Sequence, residues 1–247
     1  MRKPKGFTIP DYITILNGIL GFLAITYIID DRYFLSSLMI ILCIGLDGFD
    51  GWLARKLGKE HLLGTYIDTF ADTLSFCFAP ALLVYSQFYD VELGRAWQSY
   101  QNGAATIIPM MLVFFGILRL GRFSRETHKT YFNGLPTPMV AILVVLLSSL
   151  FGSIGLLNHR PLPVLAITFV LGSLLYSNIP YPKLRGNTYI AGAFLLIISF
   201  AGIILAKISY PMGLLLLIIA SIICLTYVII GPLMVLKNDK KNGSSSR

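Results

Sequence analysis

Asp47, Asp50, Asp68 and Asp72 lie inside stretches of chain that otherwise read as membrane-spanning, and this constrains the protein more than any other feature. A carboxylate at the centre of a bilayer costs about 2.5–3.5 kcal/mol on insertion scales, so four idle ones would cost on the order of 10 kcal/mol. Something has to offset that cost. Pairing with bases is one route, but only Arg55 and Lys56 are near in sequence, too few for four charges. A bound divalent cation is the other route, and the acids are read here as ligands.

The surrounding sequence supports a membrane setting. Of 247 residues, 55% are hydrophobic and 13% charged, against roughly 25% charged in a typical soluble domain. Apolar runs near 20 residues recur along the whole chain. We expect an all-α, polytopic helical bundle of eight spans at about 10–29, 33–57, 63–89, 101–121, 136–157, 162–179, 188–207 and 210–236. Residues 1–236 form one transmembrane catalytic domain, with its catalytic core over about 7–180, and 237–247 read as a polar, disordered tail. The first apolar run has no small-residue cleavage site behind it and reads as a retained helix. With the N-terminus inside, every Lys and Arg except Arg32, Arg95, Arg160 and Lys207 falls on the inner side. The positive-inside rule then puts both termini in the cytoplasm. The net charge of +8 is accounted for by topology and anionic lipid, so no nucleic-acid partner is expected. Cys43, Cys77 and Cys224 are isolated in apolar runs and read as small buried residues, and His61, His128 and His159 sit in expected loops away from the acids.

The acids are arranged with regularity. Spans two and three make a hairpin about the turn Gly58–His61, and Asp50 and Asp68 lie nearly equidistant from it, as do Asp47 and Asp72 one helical turn deeper. Spacings of three and four residues put each pair on one helix face. The hairpin thus presents four carboxylates at matching depth, roughly 15 Å from a cytoplasmic turn. Oxygen donors of this kind suit Mg2+ or Mn2+, and a cluster of four can hold two ions that clamp a phosphoryl group. Gly48, Gly51, Ala54 and Gly64 line the same hairpin. Small residues there admit either a ligand or a packed neighbouring helix, and spacing does not choose between them.

Asp47, Asp50, Gly51, Ala54, Arg55, Gly64, Asp68 and Asp72 together match the signature of the CDP-alcohol phosphotransferases, which this chain resembles. The resemblance implies two divalent cations, Mg2+ or Mn2+, on Asp47, Asp50, Asp68 and Asp72, with Asp72 also the general base. It implies that Gly51, Ala54 and Gly64 accommodate the cytidine nucleotide with Arg55 near its phosphates. The opening segment, with Pro10, Thr14 and Asn17, the run Ser75–Ala81 and the segment Arg119–Pro138 are similar to the branch that uses serine as acceptor. Asp11 and Cys77 stand where that branch would have Asn and Gly. Thr14 and Asn17 are accordingly expected on the CDP-lipid side of the site, and a homodimer is expected.

For the acceptor, Arg119 and Arg122 are three residues apart at the end of span four, and an Arg fork suits the carboxylate of serine. Glycerol 3-phosphate or an inositol phosphate would want cations too. Asn133 and Thr137, in a stiff Gly/Pro-rich loop, are expected to wall the acceptor pocket. The expected reaction moves a phosphatidyl-type group, diacyl or dialkyl ether, from a CDP-linked lipid to L-serine with release of CMP. The expected location is the cell membrane, with the site opening to the cytoplasm. A divalent-metal carrier is the competing class, but the later spans hold no second acid pair.

Overall fold

The computed structural model describes residues 7–57, 62–89, 96–123, 131–153, 161–182 and 187–244. The expected turn at 58–61, the three histidines, and Arg95, Arg125, Lys129, Arg160, Lys183 and Arg185 lie outside the described residues. The elements are α1 (Ile9–Ile29), α2 (Tyr33–Leu57), α3 (Leu62–Asp72), α4 (Ala79–Phe88), α5 (Ala96–Phe123), α6 (Thr137–Ser148), α7 (Pro161–Leu175), α8 (Asn187–Ile208) and α9 (Tyr210–Ser244), with two short strands, β1 (Tyr131–Asn133) and β2 (Pro180–Pro182).

Local sequence sets the ends of these helices. Thr8 donates from its backbone N–H and its hydroxyl to the Asp11 carboxylate, at 2.6 and 2.8 Å, while Pro10 occupies the first turn of α1. Asp11 is therefore spent on the helix start, where an acid is favourable. α1 ends at Ile29, and Asp31, with φ of 57°, turns the chain into α2. Between α3 and α4 the helix widens into a π turn, Thr73–Phe78, that starts one residue after Asp72. Pro80, just beyond it, has no N–H to continue a regular i→i−4 ladder.

Among the described residues six helices are long and apolar enough to cross a membrane, including the continuous run Leu63–Phe88. At the fifth and sixth expected spans, the described residues hold shorter apolar helices, Thr137–Gly152 and Pro161–Leu175. α6 owes its hydrophobicity to another cause, because every residue from Val140 to Ser148 is buried among the other helices. The outward faces are apolar in turn, with Phe70 68% and Ile229 67% exposed, as a bilayer-facing surface should be. α9 runs on to Ser244, so the segment beyond 236 continues the last helix where the sequence reads as an irregular tail. Helix propagation from a formed nucleus adds residues at little cost, even polar ones.

α1 packs along α2 and α3, α5 along α7, and α8 along α9, while α8 also touches α2. Among the described residues the departure from helical architecture is a ladder between connections that read as plain loops. Tyr131 pairs with Pro182, Phe132 with Tyr181 and Asn133 with Pro180, antiparallel. Gly134 follows with φ of 83°, its N–H donating to the Ile179 carbonyl at 2.9 Å.

Candidate active site

The α2–α3 hairpin brings the acids together as its spacing predicts. One carboxylate oxygen from each of Asp47, Asp50 and Asp68 lies within 4.8 Å of the others. Oxygens that share a hard divalent cation are separated by about 4–5 Å or less, given metal–oxygen distances of about 2.0–2.6 Å. The donor set therefore fits such an ion in both chemistry and spacing. Asp72 stands one turn further along α3 and is 8% exposed, while Asp50 is 4% exposed.

α1 supplies the partners that orient these acids. The Thr14 hydroxyl lies 2.7 Å from Asp50 Oδ2 and 3.1 Å from the Pro10 carbonyl, and its single proton goes to the charged, closer acceptor. Asn17 is fully buried and turns its amide NH2 toward Asp72 Oδ1 at 3.4 Å. Its orientation is set from behind, because the Ser75 hydroxyl lies 3.1 Å from Asn17 Oδ1, leaving the nitrogen to face the acid. Close approach of α1 and α3 makes this possible: a Cβ on Gly18 would touch Ala71, and one on Gly21 would collide with Ser75. Thr14 and Asn17, expected on the CDP-lipid side of the site, thus have polar atoms on the Asp50 and Asp72 carboxylates. Ser75 is a site residue that sequence reading missed, although it opens the run Ser75–Ala81.

The glycines of α2 behave differently from those of α1. A Cβ on Gly48 would meet nothing within 4 Å, and one on Gly51 would meet only the Arg55 guanidinium, at 3.4 Å. They face open space, so helix packing does not explain them. Gly51, Ala54 and Gly64 are half-buried and Arg55 is exposed beside them, on the stretch of hairpin that carries the acids.

Arg119, from α5, is buried, 6% exposed. Its Nη1 donates to the Thr137 hydroxyl at 2.9 Å, and its guanidinium lies over the Phe132 ring, 5.6 Å from the centroid. Two of the expected acceptor residues, Arg119 and Thr137, are therefore joined. Arg122 is directed elsewhere: Nη2 donates to Asn178 Oδ1 at 2.7 Å, and the guanidinium lies 5.8 Å from the Tyr176 ring centre. Asn133 is half-buried at the end of β1, the strand that carries Phe132.

The helices α1 and α2 also border apolar space. A cavity of about 660 Å³ opens between α1, α2 and α8, lined by Leu16 and Leu20, by Leu42, Gly45 and Leu46, and by Phe200 among others.

Comparison with known proteins agrees with this geometry. The chain is 34% identical over 236 residues to the CDP-diacylglycerol–serine O-phosphatidyltransferase of Methanocaldococcus jannaschii, covering 95% of this chain and 98% of that relative. It is 32% identical over 181 residues to the archaetidylserine synthase of Methanothermobacter thermautotrophicus, covering 72% and 71%. Against the CDP-diacylglycerol–serine O-phosphatidyltransferase of Bacillus subtilis it is 32% identical over 179 residues, covering 72% and 91%. Residues 7–235 match the family described as CDP-alcohol phosphatidyltransferase, a range that takes in the acid hairpin, its α1 supports and all the membrane helices. This chain, a polytopic helical bundle, belongs to the CDP-alcohol phosphatidyltransferase family.

Proposed function

We propose that the protein transfers a phosphatidyl-type group from a CDP-linked lipid to the hydroxyl of L-serine, releasing CMP. The convergence of Asp47, Asp50 and Asp68 within 4.8 Å carries this reading, because it gives the charge of a pyrophosphate somewhere to be met inside a membrane. The serine acceptor draws support from the relatives, two of which are named as serine O-phosphatidyltransferases and one as an archaetidylserine synthase.

Asp47, Asp50 and Asp68, with Asp72, would hold two divalent cations, Mg2+ or Mn2+. When bound, such ions neutralise the pyrophosphate and stabilise the attacking and departing oxygens. The chain's own groups do the rest. The serine hydroxyl oxygen forms a bond to the lipid-side phosphorus as the bond from that phosphorus to the CMP oxygen breaks. Asp72, oriented by Asn17, accepts the hydroxyl proton. Arg119, joined to Thr137, takes the serine carboxylate, and Asn133 borders the same pocket. Gly51, Ala54 and Gly64 leave room for the nucleotide, Arg55 meets its phosphates, and the apolar cavity takes a lipid tail. Arg122, bonded to Asn178, borders the acceptor pocket at one remove. The site opens toward the cytoplasm of the cell membrane, as the distribution of basic residues implies, and the enzyme acts as a homodimer.

The test is CMP release by purified protein in detergent with Mg2+ or Mn2+. It is run with diacyl and dialkyl ether donors, against serine, glycerol 3-phosphate, inositol and inositol phosphate. Release that depends on serine is the expected result. Release with another alcohol alone would keep the site and overturn the acceptor.

A further inference from the structure

α9, the last helix, reaches back to the acceptor side of the site through one tyrosine. The Tyr227 hydroxyl donates to the carbonyl of Pro182 at 3.0 Å, and its ring stacks on that of Tyr181, with centroids 5.9 Å apart and planes 29° apart. One helical turn on, Gly231 lets α9 approach β2 closely, since a Cβ there would lie 3.2 Å from the Pro182 ring. Tyr181 itself is 1% exposed.

β2 needs this support. Two of its three residues, Pro180 and Pro182, have no N–H, so only Tyr181 can donate across the ladder. Two strands of three residues do not hold themselves together. The Gly134 and Leu135 N–H groups, donating to the Ile179 and Leu174 carbonyls at 2.9 and 3.1 Å, anchor the ladder to the end of α7, and α9 anchors its other side. The contacts then run without a gap toward the acids: Tyr227 to Tyr181 and Pro182, Tyr181 opposite Phe132 in the ladder, Phe132 under Arg119, and Arg119 to Thr137.

We infer that Tyr227 is a positioning residue for the acceptor alcohol: by holding β2 against α9, it fixes the β1–β2 ladder, and with it Phe132 and Asn133, relative to Arg119. This rests on the reading of Arg119 as the acceptor-side cation. It gives the C-terminal helix a part in the reaction without contact with substrate.

The test measures Tyr227→Phe and Tyr227→Ala in the full chain in detergent, beside Cys224→Ala, which trims a buried side chain one turn earlier on the same helix without touching the Tyr227 hydrogen bond. Amide hydrogen exchange over residues 131–135 is expected to speed up in both tyrosine variants. The KM for serine is expected to rise about fivefold in Tyr227→Phe, the worth of one hydrogen bond, and further in Tyr227→Ala. The KM for the CDP-lipid and kcat should stay within about twofold of the unsubstituted enzyme. Cys224→Ala should lower thermal stability and leave the serine KM unchanged. Unchanged exchange in both tyrosine variants would overturn the inference, and so would a donor KM that rises with the acceptor's or an equal effect from Cys224→Ala. If another alcohol is the acceptor, the same split in its KM upholds the role of Tyr227 while the serine reading fails. Absence of any acceptor-dependent release would overturn both.

Discussion

Thr14 and Asn17 show what the structure adds to a residue already singled out in the sequence. Both were expected beside the donor lipid, and both place their polar atoms on carboxylates, Asp50 and Asp72. Groups that orient metal ligands are commonly worth ten- to a hundredfold in metal affinity. Thr14→Val should therefore raise the Mn2+ concentration for half-maximal CMP release by about tenfold, with little change in the rate at saturating metal. An unchanged metal dependence would remove Thr14 from the site. Arg119 makes a second case. Lysine keeps the charge but loses the planar fork that can hold Thr137 and a carboxylate together. Arg119→Lys should raise the serine KM by about tenfold or more while the donor KM holds, as steady-state kinetics would report. The acids themselves were legible from spacing alone, since four carboxylates in apolar helices have few physical explanations. The partners of Arg122 and the role of Ser75 were not, because a hydrogen bond between distant segments leaves no periodic trace in sequence.

At the scale of elements, hydropathy located the helices well and described their surroundings less well. α6 is the instructive case: it is as apolar as a bilayer-spanning helix, yet it is shorter and wrapped by its neighbours, and burial in protein or in lipid asks for the same side chains. The β1–β2 ladder escaped notice for the opposite reason. Its proline-rich second strand reads as a turn, and it becomes a strand only because α7 and α9 hold it. Gly134 is the joint of that arrangement, with its φ of 83° and a Cβ position that would collide with the Leu175 carbonyl. Gly134→Ala should destabilise the protein by at least about 1–3 kcal/mol, the cost of a non-glycine residue in strained backbone. A melting temperature in detergent equal to that of the unsubstituted protein would contradict this.

In the proposed reaction the donor and the acceptor would use different parts of the molecule. α1, α2 and α8 line an apolar cavity, while Arg119 bonds to Thr137 and lies over Phe132 of the β1–β2 ladder. Lipid and alcohol would approach the carboxylates from different directions, which in-line displacement requires. Filling the apolar side should then affect the donor alone. Ala201→Trp, which narrows the cavity from α8, should raise the KM for the CDP-lipid several-fold and leave that for serine unchanged. Equal effects on both would mean that the two routes are not separate.

The claim on which everything else depends is that the carboxylates form a metal site at which serine displaces CMP. The most direct measurement follows Mn2+ binding and serine-dependent CMP release in the same preparations of unsubstituted protein, Asp68→Asn and Asp72→Asn. The account predicts that Asp68→Asn loses most of its Mn2+ binding together with turnover. It predicts that Asp72→Asn loses turnover while retaining an ion at Asp47, Asp50 and Asp68. Serine-dependent release that persists in Asp68→Asn, or that is indifferent to removal of divalent cations by chelation, would contradict it.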